Sequence, residues 1–338
     1  MKKLKLVQYG VTHEHANGKI TSLKKLTDIF EIAGVIDDRS STEARFPQEV
    51  NMEPYEGLYM MSEEEFFARN DIDLVVVETA NADLVPTALK CLEKRIPMHM
   101  DKPGGTNPEL FEKLSREYER LQLPFQMGYM LRVNPALQFC TNMVKKGLLG
   151  DIFEIQCDMN HSYGGEEYAH YIAKQPGGIM YNLCCHLIDF IVGMMGRPEN
   201  VFSLLKNTPD APQGAYNNCM AVLEYKHATA TVRSCCKDHG LGRRLRIAGT
   251  KGVIDMCPIE TFWERLTVSL SLSENSGDFP AGVHTLTFPI FKDRYAPQFR
   301  EMAAIIRGEK PNVDIYAHDR MVNEVVLACS KLADWRVK

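Results

Sequence analysis

No stretch of this 338-residue chain approaches the roughly 18 consecutive apolar residues that would span a bilayer, so no membrane-crossing helix is expected. No secretory leader is expected either, because Met1-Lys-Lys-Leu-Lys5 is followed by only Leu6-Val-Gln-Tyr9 before Gly10, too short for an apolar core segment. Charge of one sign is also lacking: the formal net charge is -5, which gives no electrostatic footprint for nucleic acid or an anionic membrane. The ten cysteines include two adjacent pairs, Cys184-Cys185 and Cys235-Cys236, but no C-x-x-C spacing. That argues against a zinc finger or a disulfide framework and points to a reducing cytoplasm. Repeats and low-complexity segments are absent. What remains is an ordinary globular composition, 45% hydrophobic and 25% charged, on a chain long enough for two domains.

Through residue 130 the sequence alternates strand and helix. Leu4 to Tyr9 reads as a first strand, Gly10 to Gly18 as the loop after it, and Leu23 to Phe30 as a segment of helical spacing. The apolar run Ile32 to Ile36 then ends in Asp37-Asp38-Arg39. An acid 27 residues after Gly10 is placed to bind a ribose diol, as in a βαβ dinucleotide site. Against the G-x-G-x-x-G pattern the loop offers Gly10, Thr12 and His15, one glycine of three, with His13 inside it. Ser62 reads as a helix N-cap ahead of three glutamates. Ile72 to Glu78 is a buried parallel strand running into the small polar turn Thr79-Ala80-Asn81. A short strand from Ile96 to Met100 stops at Asp101-Lys102-Pro103, which leaves Lys102 at a strand's C-terminal end, where open α/β sheets bind ligands.

The second half changes character. Strands at 152–159, 201–205, 220–225, 228–234, 245–247, 253–256 and 267–272 cluster without regular intervening helices, implying an antiparallel sheet. The fold class expected is an N-terminal Rossmann-like doubly wound parallel sheet over residues 1–130, followed by an α+β domain over 131–313 built on an open, mainly antiparallel sheet. A terminal helix within 314–335 is expected to pack back on the first domain. One long apolar helix from Gly178 to Met195 carries Asn182, His186 and Asp189 along one side. Polar groups on a buried helix must be satisfied or face a cavity, and His186 has the proton affinity to accept a substrate hydroxyl's proton. His161, Tyr163 and His170 lie in a glycine-containing stretch and are candidates for substrate contact, with exposed loop positions as the plainer reading.

Several of these segments together resemble the glucose-fructose oxidoreductase, inositol dehydrogenase and rhizopine catabolism family (Gfo/Idh/MocA) along essentially the whole chain. Asp101-Lys102-Pro103 is similar to that family's Glu-Lys-Pro signature, and Asp73 to Asn81 to the strand and turn along the cofactor. Gly128-Tyr-Met-Leu-Arg132-Val-Asn-Pro135 is similar to the entry into the second domain. Ile247 to Val253 is similar to a recurrent hairpin, and Gly177 to Asp189 to the Gly-Gly helix bearing Asp and His. The resemblance implies an NAD(P)-dependent dehydrogenase passing a hydride between nicotinamide and a carbinol carbon of a sugar, cyclitol or related hydroxy compound. Lys102 and His186 would assist proton transfer, with Asn182 standing where Asp is usual. Gly10, Thr12, His13, His15, Asp37, Arg39, Thr79, Ala80, Asn81, Asp101, Lys102 and Arg132 would hold the cofactor; His161, Tyr163, His170 and Asp189 would face substrate. Asp37 favours NAD, with NADP as the alternative through Arg39 and Ser40. No resident metal is expected. A redox-neutral hydrolase or lyase and a non-catalytic binding protein are the competing readings. Relatives imply a homodimer or homotetramer formed through the C-terminal sheet.

Overall fold

The computed structural model describes residues 2–40, 50–162, 165–240, 242–261, 265–290, 292–313 and 315–336. It divides into two compact units, Met1–Tyr129 with Asp293–Asn323, and Met130–Lys292 with Glu324–Lys338.

In the first unit β1 (Leu4–Tyr9), α1 (Ala16–Lys25), β2 (Phe30–Ile36), α2 (Glu63–Ala68), β3 (Leu74–Val77), α3 (Leu84–Cys91), β4 (Met98–Met100), α4 (Pro108–Leu121) and β5 (Phe125–Met127) follow in sequence. The five strands are all parallel in the order β2-β1-β3-β4-β5, so the chain reverses its direction of winding between β1 and β3. The crevice outside the C-terminal ends of those two strands is where doubly wound sheets bind ligands. Leu6, Val35, Leu74 and Val76 pack with Ile20 and Leu23 of α1 and with Phe299 and Met302 of the helix Ala296–Ile306. Val7, Val75 and Val77 point to the other face and are also buried, as a sheet covered on both sides requires. The helix 296–306 lies in the stretch that the sequence grouped with the second domain, yet its apolar side completes this core. Ser62 caps α2 in a full capping box with Glu65.

α1 begins seven residues earlier than its apolar spacing indicated, at Ala16 and not at Leu23. Ala16 N–H donates to His13 O and Lys19 N–H to His15 O, so the helix starts directly behind the loop at Gly10. Leu26 and Ile29 belong to the turn that leads into β2.

The second unit contains α5 (Pro135–Lys145), β6 (Ile152–Met159), α6 (Gly165–Lys174), α7 (Gly178–Asn182), α8 (Cys185–Met195) and the strands β7 (Asn200–Lys206), β8 (Asn218–Tyr225), β9 (Ala228–Cys235), β10 (Arg243–Gly249), β11 (Gly252–Met256), β12 (Leu266–Leu272) and β13 (Gly282–Phe288). Helices α9 (Ala296–Ile306) and α10 (Tyr316–Cys329) close the chain. The eight strands run β13-β12-β11-β10-β6-β9-β8-β7, antiparallel except for the β6–β9 pair. Ile155, Cys157, Ala230, Val232, Leu245 and Ile247 form the buried face. Gln156, Thr231, Val222 and Arg246 alternate onto the open one, as the two-residue period dictates. No helix among the described residues is long and apolar enough to cross a membrane.

Two expectations change here. The glycine-containing stretch after His161 holds a helix, α6, whose Tyr168, Tyr171 and Ile172 form a buried stripe behind Glu166 and Glu167 in the first turn. The single helix expected from Gly178 to Met195 is two. Cys184 N–H reaches back five residues to Ile179 O (3.1 Å), and His186 N–H only three, to Leu183 O (3.2 Å). The Asn182 carbonyl meanwhile accepts from Cys185 Sγ (3.5 Å). A widened turn followed by a tight one shifts the helical register, so Asn182, His186 and Asp189 do not share one regular face.

Candidate active site

Within the first unit, the loop after β1 and the ends of β3 and β4 converge on one buried polar cluster. Gly10 has φ +103°, and a Cβ there would lie 2.5 Å from the Thr79 amide nitrogen; only glycine lets the two chains approach so closely. Thr12 replaces the second glycine and acts as a strut. Its Oγ1 accepts from Ala80 N–H (2.9 Å) and donates to Asp38, whose other oxygen takes the Val11 amide (2.8 Å). Asp38 is thus the buried acid at the end of β2, a residue that sequence reasoning passed over for Asp37. Burial pushes its carboxyl up, against the bonds from Thr12 and Val11. Asp37 is more exposed and is gripped by Arg39 through two nitrogens at 2.7–3.0 Å.

His13, His15 and Asp101 lie against one another. His13 Nε2 faces Asn81 Oδ1 (2.9 Å) and Lys102 O (3.1 Å), both acceptors, so it carries the hydrogen; Nδ1 then accepts from the His15 amide (3.1 Å). Burial lowers the His13 pKa to about 3, keeping the ring neutral. His15 Nδ1 lies 3.1 Å from Asp101 Oδ2. The Lys102 side chain is fully buried, and its Nζ is 2.7 Å from Glu14 Oε1.

Beneath them lies a charge network that the sequence reading missed. Lys19 Nζ, fully buried, contacts Glu78 Oε1 (2.7 Å), Asp101 Oδ2 (2.7 Å) and His99 Nε2 (2.8 Å). Burial raises the Glu78 carboxyl; at Asp101 burial is outweighed by His13, Lys19 and His15, which hold it well below the usual range. The signal was available: Lys19 lies four and seven residues before Leu23 and Leu26, on the apolar side of its helix. His13, His15 and Asp101 come close enough to bracket a metal ion. However, His13 Nδ1 is engaged with an amide, and the Lys19 ammonium already lies against the carboxylate. The donor set therefore matches an internal cation better than a metal.

A cavity of about 550 Å³ opens at the ends of β1 and β2, lined by Tyr9, Ile36, Asp37, Asp38, Thr79 and Asp83 among others. Thr79 Oγ1 and one Asp83 carboxylate oxygen are buried with no hydrogen-bond partner among the described residues. Buried polar atoms of this kind await a polar ligand, and the volume and acid-lined wall fit the adenosine end of a dinucleotide.

In the second unit Arg132 clamps Asp189 with three contacts of 2.6–3.1 Å. This occupies Asp189, expected to face substrate, with a neighbouring guanidinium and ties α8 to the turn at Met130–Val133. Asn182 and His186 are fully buried. Gly178 has φ +57°, and a Cβ would meet Ala215 O at 2.4 Å, which explains the glycine at the first position of α7. His161 is buried edge-on to Tyr168, whereas His170 is exposed on α6 with its Nδ1 2.9 Å from Glu166 O. Tyr163 lies outside the described residues.

Residues 10–129 match the model of the oxidoreductase family with an NAD-binding Rossmann fold, and residues 138–255 the GFO/IDH/MocA C-terminal domain. The rhizopine catabolism protein MocA of Rhizobium meliloti is 24% identical over 153 residues, 42% of this chain and 47% of that protein. Trans-1,2-dihydrobenzene-1,2-diol dehydrogenase of Bos taurus is 21% identical over 201 residues, 58% of each. These matches span about half the length of the curated relatives. An oxidoreductase from Agrobacterium radiobacter, solved with NAD+, L-tartaric acid and magnesium, superposes with a TM-score of 0.78 at 14% identity, over 98% of this chain and 96% of that one. With both domain models matched in order and the nucleotide crevice built as described, the chain belongs to the GFO/IDH/MocA family of NAD-binding oxidoreductases.

Proposed function

We propose that the protein is an NAD-dependent dehydrogenase that oxidises or reduces a carbinol carbon of a sugar, cyclitol or related hydroxy compound. The observation that carries this reading is the acid-lined cavity beside Gly10 and Thr79, with its two unpaired buried oxygens. Asp37 and Asp38 are the groups for the ribose hydroxyls, and the loop 10–15 ahead of α1 takes the diphosphate. Bound NAD supplies the hydride acceptor. Lys102 Nζ and His186 hold and move the hydroxyl proton, and Asn182 supports His186 without adding charge. We assign Arg132 and Asp189 to anchoring α8, and leave His161 and Tyr163 as the substrate contacts, His170 being turned to solvent. Two relatives are named with trans-1,2-dihydrobenzene-1,2-diol and L-tartaric acid, which favours substrates with neighbouring hydroxyls. The ten free thiols accord with a cytoplasmic setting.

Among the described residues four carboxylates, those of Asp37, Asp38, Glu63 and Asp83, line the cavity against the Lys90 ammonium, with Arg39 paired to Asp37 beside it. A 2'-phosphate would meet repulsion there, so NAD should bind at least tenfold tighter than NADP, and Asp37→Ala should weaken NAD about tenfold, roughly 1.4 kcal/mol. Calorimetry with both nucleotides reads this directly, followed by nicotinamide absorbance over a panel of polyols. Absence of NAD binding by the intact protein would end the dehydrogenase reading.

The open sheet face suits the expected self-association. Phe202 and Leu204 on edge strand β7 are 60% and 58% exposed, and Met220, paired with Leu204, is 37% exposed. Light scattering on a Phe202→Lys, Leu204→Lys double variant should show a smaller species than the wild type; an unchanged mass would remove this face as the interface.

A further inference from the structure

Three consecutive loop residues grip two consecutive residues at the end of β4. His13 Nε2–H donates to the Lys102 carbonyl (3.1 Å), His15 Nδ1 lies 3.1 Å from Asp101 Oδ2, and Glu14 Oε1 lies 2.7 Å from Lys102 Nζ. The Lys102 amide donates to Asp101 Oδ1 (2.6 Å), so its main chain is held on both sides and the amine end is aimed by Glu14. We infer that Glu14, to which nothing so far gives a role, is the positioning residue of Lys102, keeping its ammonium charged and pointed from the strand end. This rests on the dehydrogenase reading for its chemical meaning, but not for its geometry.

The physical case is the cost of burying charge. A fully buried ammonium is unfavourable without a partner, and Glu14, whose side chain is only 12% exposed, supplies a carboxylate at hydrogen-bond distance. Burial alone would raise the Glu14 carboxyl, but Lys102, with His15 and His13 after it, brings it down to about 2, so it is ionised at any working pH. Among the described residues, the other titratable groups around this end of β4 include His13, His15, Lys19, Glu78, His99, Asp101 and Tyr295, of which Asp101 is already engaged by Lys19, His15 and His13, and Glu78 by Lys19. Without the Glu14 charge the proton on Lys102 is held less firmly and the side chain loses a fixed direction.

The test uses the full-length protein with isotopically labelled lysine, the Lys102 signal assigned through Lys102→Arg. In the nucleotide-free wild type, Glu14→Gln should lower the titration midpoint of Lys102 by one pH unit or more, and Glu14→Asp, one methylene shorter, should move it the same way by less. With substrate, Glu14→Gln should lower kcat about 10- to 100-fold while the affinity for NAD stays within twofold. A Lys102 midpoint unmoved in both variants overturns the inference, and so does a shifted midpoint with unchanged kcat. Should Glu14→Gln fail to fold, Glu14→Asp decides by the same readings. If the wild type binds no NAD, the dehydrogenase reading falls while the Lys102 titration still reports on the pairing.

Discussion

Replacing Lys19 with Met is expected to destabilise the first unit by about 3–5 kcal/mol, the usual cost of removing one partner from a buried charge network. The side chain is fully buried and its ammonium is the cation nearest to both Glu78 and Asp101. Methionine keeps most of the packing volume but leaves two buried carboxyls facing each other across the place the ammonium held. Urea unfolding followed by a probe in residues 1–129 measures the loss. Converting the carboxyls as well, in a Lys19→Met, Glu78→Gln, Asp101→Asn variant, should recover most of it, because the network then carries no net charge to desolvate. A single variant within about 1 kcal/mol of the wild type would show that the network is not what holds these strand ends together. The same network sets the acid response. Burial lowers His13 and His99 to about 3, so the unfolded chain binds protons there that the folded one refuses. Stability must then fall as pH drops below about 6.5, the ordinary histidine value. Glu14, lowered to about 2, adds to the loss below about pH 4.5. Glu78 runs the other way, since its raised carboxyl takes up a proton when folded, but it stands against five lowered groups of the cluster, His13, His15, His99, Glu14 and Asp101.

The parts legible in the sequence were those written in period and punctuation. The β-branched run Leu74 to Val77, the Ser62 cap and the strand stop at Asp101-Lys102-Pro103 each carry a local physical reason, and each lies where that reason puts it. What escaped depends on partners far away in the chain. The start of α1 was obscured because Asn17 and Gly18 are poor helix formers, and hydrogen bonds to the loop start it instead. The strand β13 is an edge strand with little buried surface, so its alternation is faint. The break between α7 and α8 lies in a change of main-chain bonding, Cys184 N–H to Ile179 O and His186 N–H to Leu183 O, which no periodicity reports. At the candidate site, Gly10, Thr79 and Lys102 could be named because strand ends and turns announce them. Asp38 and Glu14 could not, since each is defined by what it touches across 27 to 88 residues of sequence. A buried strand that ends in an acid, as 74–78 does, nevertheless asks for a cation, and Lys19 on an apolar helix side was the available answer.

Removing the amine of Lys102 should have the largest effect on turnover. Lys102→Met is expected to lower kcat about 100- to 10,000-fold, the range that a general acid or base contributes, with NAD affinity within about threefold of wild type. Lys102→Arg should restore little: guanidinium stays charged throughout the working range and so cannot give up and regain a proton, and its planar fork does not fit a site shaped around one Nζ at 2.7 Å from Glu14. His186→Gln should show a comparable fall, since glutamine can hydrogen-bond to a hydroxyl but cannot carry its proton. The informative variant is the double one. If Lys102 and His186 serve the same proton, losing the second should cost little once the first is gone, and the combined fall should approach the larger single effect, not the product of the two. Initial rates across pH separate the roles further, because each single variant should remove one limb of the wild-type profile. Product of the two falls in the double variant would mean that the residues act on separate steps, and either single variant keeping more than about a tenth of the wild-type kcat would remove that residue from the proton chemistry.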